Sequence, residues 1–345
     1  MNQFSNPSPR SADYVCLQGH LGGAPAGRKG AWVIFTALML ILQATSLVAQ
    51  ELSAALEWAV VNHPRNPSLA DGSGTVPHAF RISKYEITNL QYKIFLNKVA
   101  RKDPHQLYDT RMQTEPCGGI ERFIEEGECH YRLREGFARQ PVVYVSYFSA
   151  MRFVNWMHNG HTSTETETGA YDLRVEQAPR MPDARYWIPT ENEWIKAGHF
   201  DPLKGTQGGY WLYPTGTDTL PAESLSSTIL GGRSRPRHGL PSAAGLAWFS
   251  LGRSVLLPNE PWVGAPSPFG TFHQGGNVAE WVDGWLDVNH AIRLQITRGG
   301  AWDSSGESLT YDKIELHPRT FVSASIGFRI ASRASQETPL AQSMR

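Results

Sequence analysis

The chain has 345 residues, 41% of them hydrophobic, enough apolar material for one large domain or two modest ones, and a single domain is the expectation. Lys+Arg and Asp+Glu are both 32 and the pI is near 7.2, so there is no electrostatic footprint for nucleic acid or for an anionic membrane surface, and nucleic-acid binding is excluded as a function class. The 32 Gly, 23 Pro and 11 Trp predict a loop-rich fold with sparse regular secondary structure, its irregular backbone pinned by large aromatic side chains.

In chain order, Arg28 and Lys29 precede an uncharged run over residues 31–49 whose apolar part ends at Leu42. This reads as an export signal, with Leu47-Val48-Ala49 placing a small residue before Gln50, or as an uncleaved anchor, since a run of that length is just long enough to span a bilayer. Either way the rest of the chain is expected outside the cytoplasm, secreted, periplasmic or anchored, and a membrane enters only through this segment. The expected organisation is 1–49 as export signal or signal anchor, 50–333 as the folded domain and 334–345 as a disordered tail. Cys16 lies before the apolar run. Cys117 and Cys129 are the only cysteines after it, and in an oxidising compartment they are expected to form a structural disulfide that would stabilise the fold by up to ~3 kcal/mol.

Residues 58–61 and 79–82 read as short strands around a Gly/Pro-containing turn region, 66–77. Thr88 as N-cap with Gln91 three residues on is a capping-box signal, and Leu90, Ile94 and Phe95 give a core-facing helical stripe as far as Val99. A polar stretch over 101–139 leads into an expected strand at 141–145. A second helix starts at Ser146, with Ala150, Phe153, Val154 and Met157 at helical spacing, and Asn159-Gly160 is its left-handed stop. Residues 161–180 read as an exposed loop. Thr190 and Glu193 repeat the capping box, turning Trp194 and Ala197 inward. Residues 202–268 lack periodicity and are expected to be a long decorated loop region, parts of it packed through Trp211, Trp248 and Trp262.

Three later segments carry the most information: Gly275-Gly276-Asn277-Val278-Ala279-Glu280-Trp281, then Arg298-Gly299-Gly300-Ala301-Trp302, then Gly327-Phe328-Arg329. They follow Lys84-Tyr85-Glu86-Ile87-Thr88-Asn89, Pro141-Val142-Val143-Tyr144-Val145-Ser146 and Trp187-Ile188-Pro189-Thr190-Glu191-Asn192-Glu193-Trp194. Taken in this order, from Trp58 to Ser332, the chain resembles the formylglycine-generating enzyme (sulfatase-modifying factor) family. The resemblance implies a compact, irregular single α+β domain with little regular secondary structure, related to C-type lectins.

It also implies what this chain lacks. In the family's copper-dependent oxidases two cysteines follow the Arg-Gly-Gly segment, and residue by residue their places fall on Ser304 and Leu309. A hydroxyl and an isobutyl group cannot replace thiolates that hold copper, so no catalytic residue is assigned and copper is not expected. His158 and His161 are the nearest approach to a metal-ligand spacing and read otherwise as an ordinary helix terminus. Family members bind calcium near the Gly-Asn-x-x-Glu-Trp segment, which carries over to a Glu280 carboxylate, Gly276 and Val278 carbonyls, and His273 where a side-chain oxygen is usual. The alternative for Glu280 is an ion pair with Arg298 or Arg329. Arg298, Arg329 and Trp302 are ligand-binding candidates, the arginines through their planar donor forks. The alternatives are a framework ion pair and core packing, and the same choice holds for an aromatic sugar platform of Trp281, Trp285 and Trp302. The expected function is an exported, non-catalytic module that binds a glycan, peptide or protein partner. The alternative is a sulfatase-activating formylglycine-generating oxidoreductase, or another enzyme on the same scaffold.

Overall fold

A computed structural model describes residues 56–220, 265–288 and 292–334, all within the second of the chain's two compact units, Leu47–Arg345. The expected export segment, Cys16, Trp248, Trp262 and the tail beyond residue 334 lie outside the described residues. Among the described residues no helix is long and apolar enough to cross a membrane.

Capping marks where the helices begin. Helix α1 (Asn89–Val99) starts from Thr88, whose Oγ1 accepts the Gln91 amide at 3.2 Å while the Thr88 amide donates to Gln91 Oε1 at 2.8 Å. A short α2 (Arg111–Thr114) follows. Helix α3 (Tyr147–His158) is capped by Ser146, which accepts the Ser149 amide at 3.1 Å, and it stops before Gly160 at φ 84°. Helix α4 (Glu191–His199) repeats the box with Thr190 and Glu193, at 3.2 and 2.8 Å. Each box satisfies two backbone donors that the first helical turn leaves open. Phe95 and Phe153 of the expected stripes bring α1 and α3 together, joined by Tyr92 and Trp156, which those stripes do not include, with ring centroids 5.3–6.1 Å apart and Phe328 at 5.4 Å from Phe153.

Two four-stranded sheets flank these helices. The first runs in the order β1 (Trp58–Val61), β2 (Phe80–Ser83), β12 (Ala331–Arg333), β5 (Tyr186–Trp187) and is antiparallel throughout. The second runs β10 (Glu315–His317), β9 (Ile292–Arg298), β8 (Ala279–Val288), β11 (Ile326–Phe328), with β11 parallel to β8. Strand β8 is bulged: Trp281 pairs with Thr297 and Trp285 with Gln295, so Val282, Asp283 and Gly284 face Ile296 alone. Gln295 Nε2 donates to the Val282 and Gly284 carbonyls at 2.6 and 2.8 Å, replacing the ladder bonds the bulge removes. A small hairpin, β6 (Phe200–Asp201) with β7 (Gly209–Tyr210), follows α4.

Three expectations are corrected. Residues 141–145 are buried but form no strand, because Tyr144 sits at φ 60° and the amides of Val142 and Tyr144 donate to different segments, at Ile87 and Ser323. The stretch 101–139 holds a hairpin, β3 (Ile120–Glu125) and β4 (Glu128–Leu133), turning at Glu126 and Gly127 with φ 52° and 80°. No disulfide joins Cys117 to Cys129. Cys117 is buried just before the start of β3, whereas Cys129 pairs with Ile124 near the hairpin tip. The ladder separates that tip from Ile120 by about 13 Å, and a disulfide requires α-carbons within about 7 Å.

Candidate functional site

Backbone geometry joins the signature segments before any side chain does. Gly276 and Asn277 lie in the left-handed region at φ 89° and 59°, and the Gly276 amide donates to the Gly299 carbonyl at 2.9 Å. A Cβ on Gly299, itself at φ 92°, would stand 2.7 Å from the Gln274 carbonyl oxygen, so close approach and conformation both select glycine there. The Trp302 amide then donates to the Asn277 carbonyl at 3.0 Å. Asn277 Nδ2 donates to Glu86 Oε1 at 3.0 Å and ties the Lys84-to-Asn89 segment to the same turn.

Beneath this turn lies a buried ion pair. Parallel pairing of β11 with β8 sets Gly327 beside Glu280 and Phe328 beside Trp281, which delivers Arg329 to the Glu280 carboxylate. Arg329 Nε donates to Glu280 Oε2 at 2.5 Å and Nη2 to Oε1 at 2.6 Å. Its remaining donors reach the carbonyls of Ser83 (2.9 Å), Lys84 (3.1 Å) and Phe272 (2.8 Å), so all five N–H groups are matched inside the protein. Trp194 Nε1 adds a bond to Glu280 Oε2 at 2.7 Å. Burial pushes the Glu280 carboxyl up and Arg329 pulls against it. Burial also works against the Arg329 charge, but Glu280 outweighs it and the guanidinium is held charged. Of the two arginines read as alternatives for Glu280, the side chain takes Arg329, although Arg298 is its cross-strand neighbour.

Arg298 serves a second junction. Its guanidinium pairs with Glu191 at the start of α4 and donates to the carbonyls of Tyr311 and Lys313. It therefore fastens α4 to the segment after β9. Trp281 is fully buried with its Nε1 on the Val145 carbonyl at 2.9 Å, and Trp302 is half-buried with its Nε1 on the Ala324 carbonyl at 3.2 Å. Neither presents an open ring platform, and of the three tryptophans Trp285 alone is exposed.

The positions of the oxidase cysteines are filled by packing. Ser304 Oγ accepts the Ala301 amide at 2.9 Å inside the Arg-Gly-Gly turn, and Leu309, on the 3-10 helix Gly306–Leu309, is fully buried against Tyr213. A Cβ on Gly300 would meet Leu309 Cδ2 at 2.9 Å, so the isobutyl group occupies its space closely. Copper does not fit here, since no thiolate is present and one of the two places is an apolar core position. Beside this turn a cleft of about 100 Å³ is lined by Gly299, Gly300, Ser308 and Lys313, well below the 300–1,000 Å³ typical of small-molecule pockets.

Calcium fits poorly for a different reason. Both Glu280 oxygens are occupied by Arg329 and Trp194, His273 Nδ1 stands 3.5 Å from Glu86 Oε2, and a divalent ion here would face a buried guanidinium. Among the described residues no group of three or more His, Cys, Asp and Glu is arranged to hold a metal. His158 Nδ1 accepts the Arg185 amide at 3.1 Å, and burial pulls the imidazoles of both His158 and His161 down. Thermal melts with millimolar calcium and with EDTA are expected to coincide. Occupancy at a hundred times the Kd would add about 2.7 kcal/mol and raise the melting temperature visibly.

Sequence reading missed the cluster under the β8 bulge. The bulge turns Asp283 toward Tyr147, whose hydroxyl donates to Oδ1 at 3.2 Å, and burial pushes the Asp283 carboxyl up. An Asp two residues after a signature tryptophan carries no local sign of this burial.

Short strands, irregular connections and a motif turn closed by two arginine junctions define an α+β domain of the formylglycine-generating-enzyme type. The profile of the Sulfatase-modifying factor enzyme 1-like domain matches residues 70–334, and the chain belongs to that family. Among solved structures, CarF is similar with a TM-score of 0.51 at 20% identity, over 81% of this chain and 98% of that one, which supports the fold. Treponema denticola variable protein 1 gives 0.45 at 16% identity over 80% and 95% of the two chains. PvdO from Pseudomonas aeruginosa gives 0.41 at 18% over 81% and 92%. No curated protein matches the sequence.

Proposed function

We propose that this domain is an exported, non-catalytic member of its family that binds a glycan, peptide or protein partner outside the cytoplasm. The observation that carries the reading is the pair Ser304 and Leu309. Where an oxidase of the family needs two thiolates, this chain has a hydroxyl engaged in a turn and a buried aliphatic side chain. The framework around them is kept, with the Arg329–Glu280 and Arg298–Glu191 junctions both formed, so the scaffold is retained without the redox centre. Fold alone does not assign chemistry, and a binding role asks nothing further of these residues.

The test is a sulfatase-motif peptide incubated with the full chain, purified from an oxidising compartment, and with added copper. Mass spectrometry is expected to find the peptide cysteine unchanged. Catalytic turnover to formylglycine would overturn the proposal. The export part is checked separately by fractionating cells that express the full chain, with the domain expected outside the cytoplasm.

A further inference from the structure

One cross-strand row of the second sheet carries Trp285 on β8, Gln295 on β9 and His317 on β10. Directly paired residues of antiparallel strands project from the same face, and strands about 4.8 Å apart set Trp285 and His317 about 10 Å from each other with Gln295 between them. Arg319 lies over the middle of the row. Its Nε donates to Gln295 Oε1 at 3.2 Å and its Nη1 to the Glu176 carbonyl at 3.2 Å. The rings at the two ends are open to solvent, Trp285 at 43% and Phe321 at 39%, and Phe321 stacks on His317 at 4.6 Å with the planes 4° apart.

The two arginines on this face differ in one respect. Arg293 covers one side of the Trp285 ring at 4.6 Å and is neutralised by Asp287 at 3.2 Å. Arg319 is half-buried, and no carboxylate among the described residues lies within ion-pair distance of it. Burial opposes its charge and pulls the guanidinium down. The nearby carboxylates are already committed, Asp287 to Arg293 and Asp283 to Tyr147. Arg319 also lies over the Tyr147 and Phe148 rings at 5.7 and 5.9 Å, and Asp283 and Asp287 act on it only from beyond contact. A partly desolvated cation with no carboxylate in contact is complementary to an oxyanion, and the planar fork of arginine suits a carboxylate or sulfate. Exposed apolar rings at both ends of the row, Trp285 at one and Phe321 stacked on His317 at the other, suit the flat C–H faces of sugar rings.

We propose that this face binds an acidic glycan, its carboxylate or sulfate group on Arg319 and its sugar rings against Trp285 and Phe321. The assignment rests on the binding-module reading and names its ligand class. The probes are a hyaluronan hexasaccharide, which is carboxylated only, dextran sulfate, which is sulfated only, a neutral maltohexaose, and a glutamate-rich peptide. They are titrated calorimetrically into the full chain at low salt. One or both acidic glycans are expected to bind, and which of them binds identifies the anion; maltohexaose is not expected to bind. Arg319→Gln is expected to weaken binding about 10- to 100-fold, the loss of charge-assisted hydrogen bonds, with Arg319→Lys falling between. Trp285→Ala, an exposed position, should weaken binding without lowering the melting temperature.

The assignment is overturned if neither acidic glycan binds at millimolar concentration. It is also overturned if binding survives both Arg319→Gln and Trp285→Ala in folded protein, or if the peptide binds and the glycans do not. None of these outcomes decides the non-catalytic reading, which rests on the formylglycine assay.

Discussion

Replacing Arg329 with methionine is expected to destabilise the domain by about 3–5 kcal/mol, the usual cost of removing one partner from a buried ion pair. The effect is large because five acceptors lose their donor together. Glu280 keeps only Trp194, and the carbonyls of Ser83, Lys84 and Phe272 are left facing an apolar side chain. The Glu280 carboxyl, already pushed up by burial, would lose the interaction that opposes that shift. Urea unfolding of both proteins at neutral pH measures the difference. Glu280→Gln combined with Arg329→Met should cost less than the sum of the two single changes, since the double variant leaves no uncompensated charge. A loss below about 1 kcal/mol for Arg329→Met would mean that the pair does not hold the two sheets together.

Acid is expected to weaken the domain through His199. This imidazole ends α4 fully buried, with Nδ1 on the Trp211 carbonyl at 3.1 Å and Nε2 without a hydrogen-bond partner among the described residues. Burial lowers its pKa from 6.5 to about 3. The sign follows directly. The unfolded chain takes up the proton near pH 6.5 while the native state refuses it, so the unfolded state binds more protons and stability falls with pH. The contribution is fully present above about pH 6.5 and is lost progressively down to about pH 3, reaching roughly 4–5 kcal/mol at about 1.36 kcal/mol per unit. Gln at this position offers a donor for the Trp211 carbonyl and does not titrate. Urea unfolding between pH 7 and pH 4 should therefore show a shallower fall for His199→Gln than for the native chain. Identical slopes would assign the acid sensitivity to other groups.

The helix starts were legible because a capping box is local. Thr88 with Gln91, and Thr190 with Glu193, satisfy each other within four residues, whatever the rest of the chain does. The signature turns were legible for a related reason: Gly276 and Gly299 require left-handed backbone, and one residue type supplies it at little cost. Residues 141–145 had the composition of a strand, but a strand needs a partner ladder, and these amides are claimed by two distant segments. The β3–β4 hairpin did leave a local signal, the Glu126-Gly127 turn after a run with Ile120, Phe123 and Ile124 and before one with Tyr131. The choice of Arg329 over Arg298 by Glu280 was out of reach, because it depends on a parallel pairing of strands nearly fifty residues apart. The contrast between buried Trp281 and exposed Trp285 was hidden too, since their partners Thr297 and Gln295 lie two residues apart on β9 and so both rings share one face, and only what packs over that face tells them apart.

Strand β12 is inserted between β2 and β5, and Arg329 just before it binds the carbonyls at the end of β2, of Ser83 and Lys84. The ribosome therefore cannot release this domain half-finished into a stable form. Until residue 333 has emerged, the first sheet has a gap at its centre and the Glu280 carboxylate has no guanidinium. Early helices can flicker into place, but the nascent chain carries an open sheet edge for almost the whole of its synthesis, during which a holding factor has an unfolded client. Premature termination just before Arg329 should thus yield a degraded product and not a slightly shortened protein.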